Sequence, residues 1–228
     1  MKLRVLTYNI RHGQGIDNKI SLERIAWVIY NSRADICGLQ ELDKWNPRSG
    51  MRNQAKELAR LCGMNYVFGA NISLAGIARY GNAILSRWPI LNHRNYSLPG
   101  KGEKRGLLKA VIKRQNLDIN FYNTHLTLDE NSRIEQVQFI NSVINQQDPT
   151  ILTGDLNEQI GGKALKSLQD KFINCFPNDT GAFTYPTASP TEKIDYIFTD
   201  KEWRVNWAKV IKSQASDHLP FLAEVVHK

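Results

Sequence analysis

Side chains that bind metals or move protons stand at the ends of four apolar segments in this sequence. They are Asn9, Gln40-Glu41, Asn123-Thr124-His125 and Asp155-Leu156-Asn157. Asp195 opens a further apolar segment, and the pair Asp217-His218 precedes the last one. Side chains at strand ends lie on rigid elements and can converge on one cleft, where carboxylates, amides and imidazoles together support hydrolysis.

The residue types fit metal-assisted cleavage of a phosphate ester. Carboxylates and amide oxygens hold a hard cation such as Mg2+, which also takes substrate phosphate as a ligand. Asn9, Glu41 and Asp217 supply such ligands. Cleavage further needs a polarised water, a group that accepts its proton and positive charge near the phosphate. His218 would supply that charge, and a second carboxylate, plausible at Asp195, would fix its tautomer or keep the ring cationic.

Each of these residues also has an ordinary structural interpretation when it is taken alone. A polar residue at a strand end commonly meets solvent or closes a turn. His125 would then be a hydrogen-bonded structural histidine, and Asp155 would belong to an Asx turn. The set as a whole indicates chemistry, because polar groups follow one apolar segment after another.

The elements that must position these residues alternate between strand and helix in the first half of the chain and are mostly strands afterwards. Apolar residues at helical spacing predict helices over 22–29, 55–62, 130–145 and 163–168. Predicted strands cover residues 3–8, 36–39, 64–68, 82–86, 90–98, 107–113, 117–124, 150–153, 194–199, 203–211 and 221–225. Residues 177–192 form a predicted loop. The pattern favours an α/β sandwich in one domain over residues 1–228.

Composition limits the class of protein and its partners. The 228 residues are 42% hydrophobic and 23% charged, which excludes wholesale disorder. The net charge of +8 favours a polyanionic partner, or else an ordinary solvated basic surface. There is no apolar run of the roughly 18 residues that a membrane span needs. No signal peptide is recognised, and the three cysteines are unclustered, so we expect a cytoplasmic protein without disulfides or structural zinc. We also expect a monomer.

Seven short motifs follow one another from residue 7 to residue 218. They are Thr7-Tyr8-Asn9, Gln40-Glu41, Gly81-Asn82-Ala83-Ile84-Leu85-Ser86, Asn123-Thr124-His125-Leu126, Gly154-Asp155-Leu156-Asn157, Lys193-Ile194-Asp195-Tyr196-Ile197 and Ser216-Asp217-His218. In this order they resemble the endonuclease/exonuclease/phosphatase superfamily, which includes DNase I, exonuclease III, neutral sphingomyelinases and inositol polyphosphate 5-phosphatases. The resemblance implies a four-layer α-β-β-α sandwich, with two mixed sheets face to face, helices outside and the active site at one edge.

The resemblance also implies the roles of the residues around a metal ion and the attacking water. Asn9 and Glu41 would bind Mg2+, with Mn2+ able to replace it, and Asp217 would lie in or near the same shell. Asp155 would take the proton from the attacking water or hold that water. Asn157 would fix the phosphate.

The remaining roles concern the phosphate and the leaving group. By the same resemblance, His218, paired with Asp195, would contact the scissile phosphate, and His125 would assist the leaving group. Asn82 would support the phosphate pocket or the residues behind it. Arg105 would bind phosphate, although a solvated loop arginine is an equally acceptable interpretation.

Features that distinguish branches of the superfamily point to a small, generic bacterial-type member. Residues 78–83 do not form the Lys-Ser-Gly-Tyr-Ser-Gly stretch of abasic-site endonucleases, and position 125 is His rather than their Tyr. Lys193-Ile194-Asp195-Tyr196 replaces the Trp-Cys-Asp-Arg signature of inositol polyphosphate 5-phosphatases. The sequence has no clear aromatic membrane-contacting hairpin of the sphingomyelinase type, and its cysteines do not suggest the disulfides of DNase I.

We therefore expect a Mg2+-dependent phosphodiesterase that acts on nucleic acid. Basic and aromatic residues that would contact the substrate, or instead pack within loops, are Lys44-Trp45, Arg48, Arg52 and Arg79-Tyr80. The same chemistry on a lipid head group, a phosphorylated sugar or another small phosphate ester is the alternative. A binding module without catalysis would require the loss of ligands, and every expected polar position is occupied.

Overall fold

The computed structural model describes residues 1–74, 76–145, 147–176 and 182–228. Residues 177–181 of the predicted loop at 177–192 lie outside the described residues. The strands are β1 (Lys2–Asn9), β2 (Ile36–Lys44), β3 (Asn65–Leu74), β4 (Ala78–Ser86), β5 (Ile90–Ser97), β6 (Gly106–Arg114), β7 (Leu117–His125), β8 (Thr150–Asp155), β9 (Ile173–Asn174), β10 (Asp195–Thr199), β11 (Trp203–Val210) and β12 (Phe221–His227). The helices are α1 (Leu22–Ser32), α2 (Gln54–Cys62), α3 (Glu130–Val143) and α4 (Lys163–Gln169).

The strands form two mixed sheets of six strands each. The first has the order β11-β12-β1-β2-β4-β3 and the second the order β5-β6-β7-β8-β10-β9. β1 and β2 are parallel, as are β7 and β8, and the other pairings are antiparallel. Each sheet therefore has a central pair of strands whose carboxyl ends point to the same edge.

Apolar side chains fill three layers between four layers of secondary structure. Val5, Ile84, Phe121 and Ile151 belong to the cluster between the two sheets. A second cluster packs α1 and α2 on the outer face of the first sheet, and a third packs α3 and α4 on the second sheet. The predicted α-β-β-α sandwich is confirmed.

The largest differences from the predicted elements concern strand lengths. β2 continues to residue 44, β3 continues to residue 74, and β4 starts at residue 78, whereas the apolar pattern predicted only 36–39, 64–68 and 82–86. Glycine and polar residues in these extensions suggest turns, but the pairing of β4 with β2 and β3 determines their conformation instead. β9 has only two residues and lies outside the predictions.

The other sequence-level predictions concern membrane segments and cysteines. None of the helices within the described ranges is both long enough and apolar enough to cross a bilayer. Cys37, Cys62 and Cys175 are free thiols, and two of them, Cys37 and Cys175, are buried.

A fully buried hydrogen-bond cluster links the two sheets beneath the edge where β1, β2, β7 and β8 end. Asn123 of β7 donates from Nδ2 to the carbonyl oxygens of Leu39 and Ala83, at 2.7 and 2.9 Å. Its Oδ1 accepts from Gln40 Nε2 at 2.6 Å. A Cβ at position 38 would overlap Thr153 Oγ1, so glycine there lets the sheets approach this closely. The cluster fixes β2 against β7.

Replacing Asn123 tests this link. In Asn123→Leu, the carbonyl groups of Leu39 and Ala83 lose this donor, and Gln40 Nε2 loses the shortest of its hydrogen bonds. An unpaired buried polar group costs about 1–3 kcal/mol. We expect the free energy of unfolding in urea to fall by about 3 kcal/mol. The control Asn92→Leu changes an exposed residue of β5 and should alter it by less than about 0.5 kcal/mol. Equal stability of the two variants would contradict the assigned role.

Candidate active site

The site residues come together because two parallel strand pairs end at the same edge of the sandwich. Asn9 is the last residue of β1 and lies beside Gln40 of β2, directly before Glu41. In the second sheet, His125 pairs with Asp155, and Asp155 pairs with Asp195 on its other side. Backbone register alone therefore places His125, Asp155 and Asp195 in one row.

Asp155 is the centre of the cluster and is almost completely buried. Asn9 Nδ2 donates to its Oδ2 at 3.0 Å, and the backbone N–H of Asn157 donates to its Oδ1 at 3.0 Å. The same Oδ2 lies 3.4 Å from His125 Nε2 and 3.7 Å from His218 Nε2. One carboxylate oxygen thus faces an amide and two imidazoles that come from three separate parts of the chain.

Glu41 and Asp217 lie on the other side of this centre. Glu41 has φ +62° where the pairing of β2 with β4 shifts register, so a bulge interrupts the regular pairing of β2 at this edge of the sheet. Asn9 Nδ2 donates to Glu41 Oε1 at 3.1 Å. Burial, followed by the nearby charges of Asp155 and Asp217, raises the pKa of Glu41. Asp217 pairs with Arg11 at 3.3 Å, and its Oδ1 lies 3.2 Å from Ser216 Oγ.

These groups fit a hard divalent cation. Glu41, Asp155 and Asp217 offer oxygen atoms as ligands. Asp155 and Asp217 repel the negative charge of Glu41, and a bound cation would offset this repulsion. Asn9 turns its amide nitrogen towards Glu41 and Asp155, while its Oδ1 accepts from the backbone of Arg11 at 3.1 Å. In this orientation Asn9 holds the two carboxylates, and its amide must turn over to present oxygen to a metal.

His218 is held as a cation by carboxylates. Its Nδ1 lies 2.9 Å from Asp195 Oδ2, and its Nε2 faces Asp155. Burial alone would lower the pKa of His218, but the charges of Asp195 and Asp155 and the hydrogen bond to Asp195 outweigh burial and raise it to about 10. Tyr185 packs on the imidazole with ring centroids 4.8 Å apart. Asp195 therefore fixes the Nδ1 edge of the His218 ring, and Tyr185 packs against one of its faces.

Asp155, Asp195 and His218 form another group whose ligand atoms all lie within 4.8 Å of one another. Both nitrogens of His218 face carboxylates, and a protonated imidazole donates hydrogen bonds and does not bind a metal. We therefore favour the side of the cluster formed by Glu41 and Asp217 as the metal side.

His125 differs from His218 in its charge. Burial lowers the pKa of His125 to about 3, against the opposing effect of Asp155. Its Nε2 lies 3.1 Å from Asn157 Nδ2, which also donates to the carbonyl oxygen of Leu126 at 2.8 Å. Asn157 has φ +49°, so a strained turn after β8 brings its amide back to the end of β7. The site therefore holds one cationic and one neutral imidazole at neutral pH.

Asn82 and Arg105 complete the predicted set. Asn82 is buried and donates from Nδ2 to the carbonyl oxygen of Gly106 at 3.2 Å, so it braces the residue that follows Arg105. Arg105 is buried except for 9% of its surface and pairs with Glu103 at 2.8 Å. A solvated loop arginine does not describe it, because it lines the cleft together with His125 and Asp155.

The cleft at this edge has a volume of about 570 Å³. Seven predicted residues line it: Glu41, Arg105, His125, Asp155, Asn157, Asp217 and His218. Asn9 and Asp195 support this lining through hydrogen bonds to residues in it. A larger cavity of about 700 Å³ near the carboxyl ends of α1 and α2 contains none of these residues.

Sequence reasoning missed several residues that shape the site. Arg11, which pairs with Asp217, follows Asn9 closely, and its position after β1 was the signal that could have found it. Ser216 donates to the carbonyl oxygen of Asn9 at 2.8 Å and ties the last loop to β1. Tyr185 lies within the predicted loop at 177–192, and no periodic pattern marks it.

Basic and aromatic side chains form a surface at the end of β2 and on β4, which we call the basic-aromatic patch. Its members are Lys44, Trp45, Arg48, Arg79 and Tyr80. The amino group of Lys44 lies 4.5 Å and the guanidinium of Arg79 lies 5.9 Å from the ring centroid of Trp45. Arg48 lies 5.3 Å from the ring of Tyr80. Arg48 also forms an ion pair with the buried Asp43, at 2.8 Å. Arg52 lies outside the patch and forms ion pairs with Glu57 and Glu23.

Comparisons with known proteins agree with this architecture. Escherichia coli YbhP, described as an uncharacterized protein, is 26% identical over 256 aligned residues, which cover 97% of this chain and 95% of YbhP. An endonuclease/exonuclease/phosphatase from Beutenbergia cavernae superposes with a TM-score of 0.84 at 23% identity, over 99% of this chain and 72% of that one. The mannosyl-6-phosphatase Bt3783 of Bacteroides thetaiotaomicron gives 0.82 at 20% identity, over 98% and 99%.

The family match covers nearly the whole chain and includes every predicted site residue. The family described as Endonuclease/Exonuclease/phosphatase family matches residues 6–218. The predictions of the superfamily and of a hydrolase acting on phosphate esters are confirmed. This chain belongs to the endonuclease/exonuclease/phosphatase family of phosphoester hydrolases.

Proposed function

We propose that this protein is a Mg2+-dependent phosphodiesterase that cleaves nucleic acid. The arrangement around Asp155 carries the proposal, because one buried carboxylate faces Asn9, His125 and His218. Carboxylates collect on one side of it, and phosphate-binding donors collect on the other. Metal-assisted attack of water on a phosphate needs both sets in one cleft.

Glu41 and Asp217 would hold the metal, with Asn9 between Glu41 and Asp155. The ligand set contains oxygen atoms only, which suits Mg2+ or Mn2+. A bound Mg2+ would supply positive charge that polarises the phosphate. Arg11 would orient Asp217 through the ion pair at 3.3 Å.

The other side chains of the site would accept the proton of the water, bind the phosphate and assist the leaving group, each according to its charge. Asp155 accepts a hydrogen bond from the attacking water and takes its proton. His218, a cation fixed by Asp195, donates to a nonbridging phosphate oxygen. The side-chain amide of Asn157 would donate to the phosphate in exchange for its contact with His125 Nε2. Neutral His125 would assist at the leaving oxygen by hydrogen bonding, and Arg105 would add positive charge to the phosphate pocket.

The basic-aromatic patch supports a nucleic-acid substrate. Trp45 is 42% exposed and lies four residues beyond Glu41, so at most about 14 Å of chain separates it from the proposed metal site. A stacking ring flanked by Lys44 and Arg79 offers contacts to a base and to backbone phosphates. The net charge of +8 favours the same polyanion.

A small phosphate ester is the second candidate substrate. A protein of similar fold is a mannosyl-6-phosphatase, which makes a phosphorylated sugar the specific alternative. A panel of single-stranded DNA, duplex DNA, RNA, mannose 6-phosphate and bis(4-nitrophenyl) phosphate, each with and without chelator, separates the two. Turnover of the sugar phosphate without cleavage of any nucleic acid would reject the proposed substrate.

We also propose that residues 1–228 act as one monomeric catalytic domain in the cytoplasm. Site residues from Asn9 to His218 meet in one cleft, which supports a single catalytic unit. Free thiols, including the buried Cys37 and Cys175, suit a reducing compartment.

Removing a metal ligand should weaken cation binding. In Glu41→Gln the formal charge of the ligand is lost, and we expect Mn2+ affinity, measured by calorimetry, to fall by about tenfold or more. Chelator should abolish phosphodiesterase activity of the unmodified protein, and Mg2+ should restore it. The control Glu224→Gln changes a buried glutamate of β12 that pairs with Arg4, and it should bind Mn2+ normally. Full activity in chelator would contradict the metal dependence.

Removing the proposed base or the proposed phosphate ligand should affect turnover. We expect kcat on bis(4-nitrophenyl) phosphate to fall by about 100-fold or more in Asp155→Asn and in His218→Gln. Circular dichroism and thermal melting must show that both variants are folded. A folded Asp155→Asn with full kcat would reject the role of the base, and a folded His218→Gln with full kcat would reject that of the phosphate ligand.

Removing the stacking ring should affect long substrates only. Base stacking on an aromatic side chain contributes about 1–3 kcal/mol, so Trp45→Ala should raise KM for single-stranded DNA by about tenfold. Turnover of bis(4-nitrophenyl) phosphate should not change. The control Trp27→Ala removes a ring on α1 that is 68% exposed. Equal KM values for the two variants would exclude Trp45 from the substrate path.

A further inference from the structure

Two loops carry the groups on the donor side of the cleft, and both leave the same sheet edge. Residues 126–129 connect His125 to α3, and residues 158–162 connect Asn157 to α4. The pair formed by His125 Nε2 and Asn157 Nδ2, 3.1 Å apart, joins these loops at the reacting edge. The geometry of that pair depends on what holds the loops behind it.

Arg133, in the first turn of α3, reaches both loops. From Nη1 it donates to the carbonyl oxygens of Thr127 and Leu128, at 3.1 and 3.0 Å. Its Nη2 lies 3.4 Å from Oε1 of Glu158, which is the residue directly after Asn157. Arg133 is only 8% exposed and Glu158 only 6%, so this ion pair is largely removed from solvent.

Glu158 is fixed in turn by groups outside these two loops. Its Oε2 accepts from the backbone N–H of Leu165 in α4 at 3.0 Å, and its carbonyl oxygen accepts from Tyr196 Oη at 2.9 Å. A Cβ at Gly162 would overlap the Glu158 carboxyl group, so the glycine leaves room for it. The carboxylate is therefore in a defined position and cannot swing into the cleft without breaking these bonds.

We propose that Arg133 and Glu158 are positioning residues that lock His125 and Asn157 into their reactive geometry. The inference rests on the proposed function, since it assigns their effect to the phosphodiesterase reaction. Gln136 also binds the Thr127 N–H, at 3.0 Å, so the specific contribution of Arg133 is the link from this loop to Glu158, the residue after Asn157. Loss of this link lets the side chains of His125 and Asn157 drift apart, and a misplacement of 1 Å can cost about 100-fold in rate.

The test compares this ion pair with the pair formed by Arg4 and Glu224, which lies near the start of β1, away from the site residue Asn9 at the end of that strand. We expect Arg133→Met and Glu158→Gln to lower kcat on bis(4-nitrophenyl) phosphate by about tenfold or more, with KM changed by less than about threefold. Arg133→Lys should restore part of kcat because it keeps the charge facing Glu158. The controls Arg4→Met and Glu224→Gln break an ion pair of 3.3 Å between β1 and β12 and should leave kcat unchanged.

Hydrogen exchange gives a readout that does not need activity. Amides of residues 126–128 and 158–162 should exchange faster by about tenfold or more in Glu158→Gln, while those of the β-sheet core should not. Unchanged exchange together with a kcat equal to that of the controls would overturn the inference. A rise in KM without a fall in kcat would also overturn it, because Arg133 would then be a substrate contact. If the unmodified protein cleaves no ester in the panel, the proposed function fails, while exchange still tests the lock.

Discussion

Repulsion among carboxylates at one edge of the sandwich is the constraint to which the rest of the site responds. Glu41, Asp155, Asp195 and Asp217 lie within one small region. Burial, followed by the charges of Asp155 and Asp217, raises the pKa of Glu41. The charge is partly offset by cationic His218 and by Arg11. A divalent cation would neutralise the remaining negative charge of the carboxylates, and a phosphate ester would accept hydrogen bonds from the donors of the site.

Rigid backbone surrounds this charged cluster. Glu41 and Asn157 both have positive φ, a conformation that costs energy for residues with a side chain and persists where neighbouring structure enforces it. Glu41 is held by the bulge in β2 and by Asn9, and Asn157 by the ends of β7 and β8. Strain at these two positions aims one side chain from each sheet into the same cleft.

The two sheets must keep a fixed register for this convergence to work. Asn123 and Gln40 lie immediately below the site and join β7 to β2 without contact with solvent. On the wall of the cleft, Arg133 and Glu158 join the loops after β7 and β8. Burying polar groups costs free energy that hydrogen bonds offset, so the bonds of these two clusters favour one arrangement of the sheets and loops.

Much of this architecture was predictable from the sequence, because short-range rules govern it. Alternating and helical spacing of apolar residues indicated all four helices and most strands, and polar residues after apolar strands indicated Asn9, Glu41, His125 and Asp155. Other features depend on contacts between distant segments. Only the tertiary structure decided that β3 and β4 are long, that Tyr185 packs on His218, and that the two histidines differ in charge. The sequence motifs predicted the pairing of His218 with Asp195, but they gave no sign that Asp155 also faces this ring. Asp155 and Asp195 reach His218 through sheet pairing and loop packing, and those long-range contacts determine its pKa.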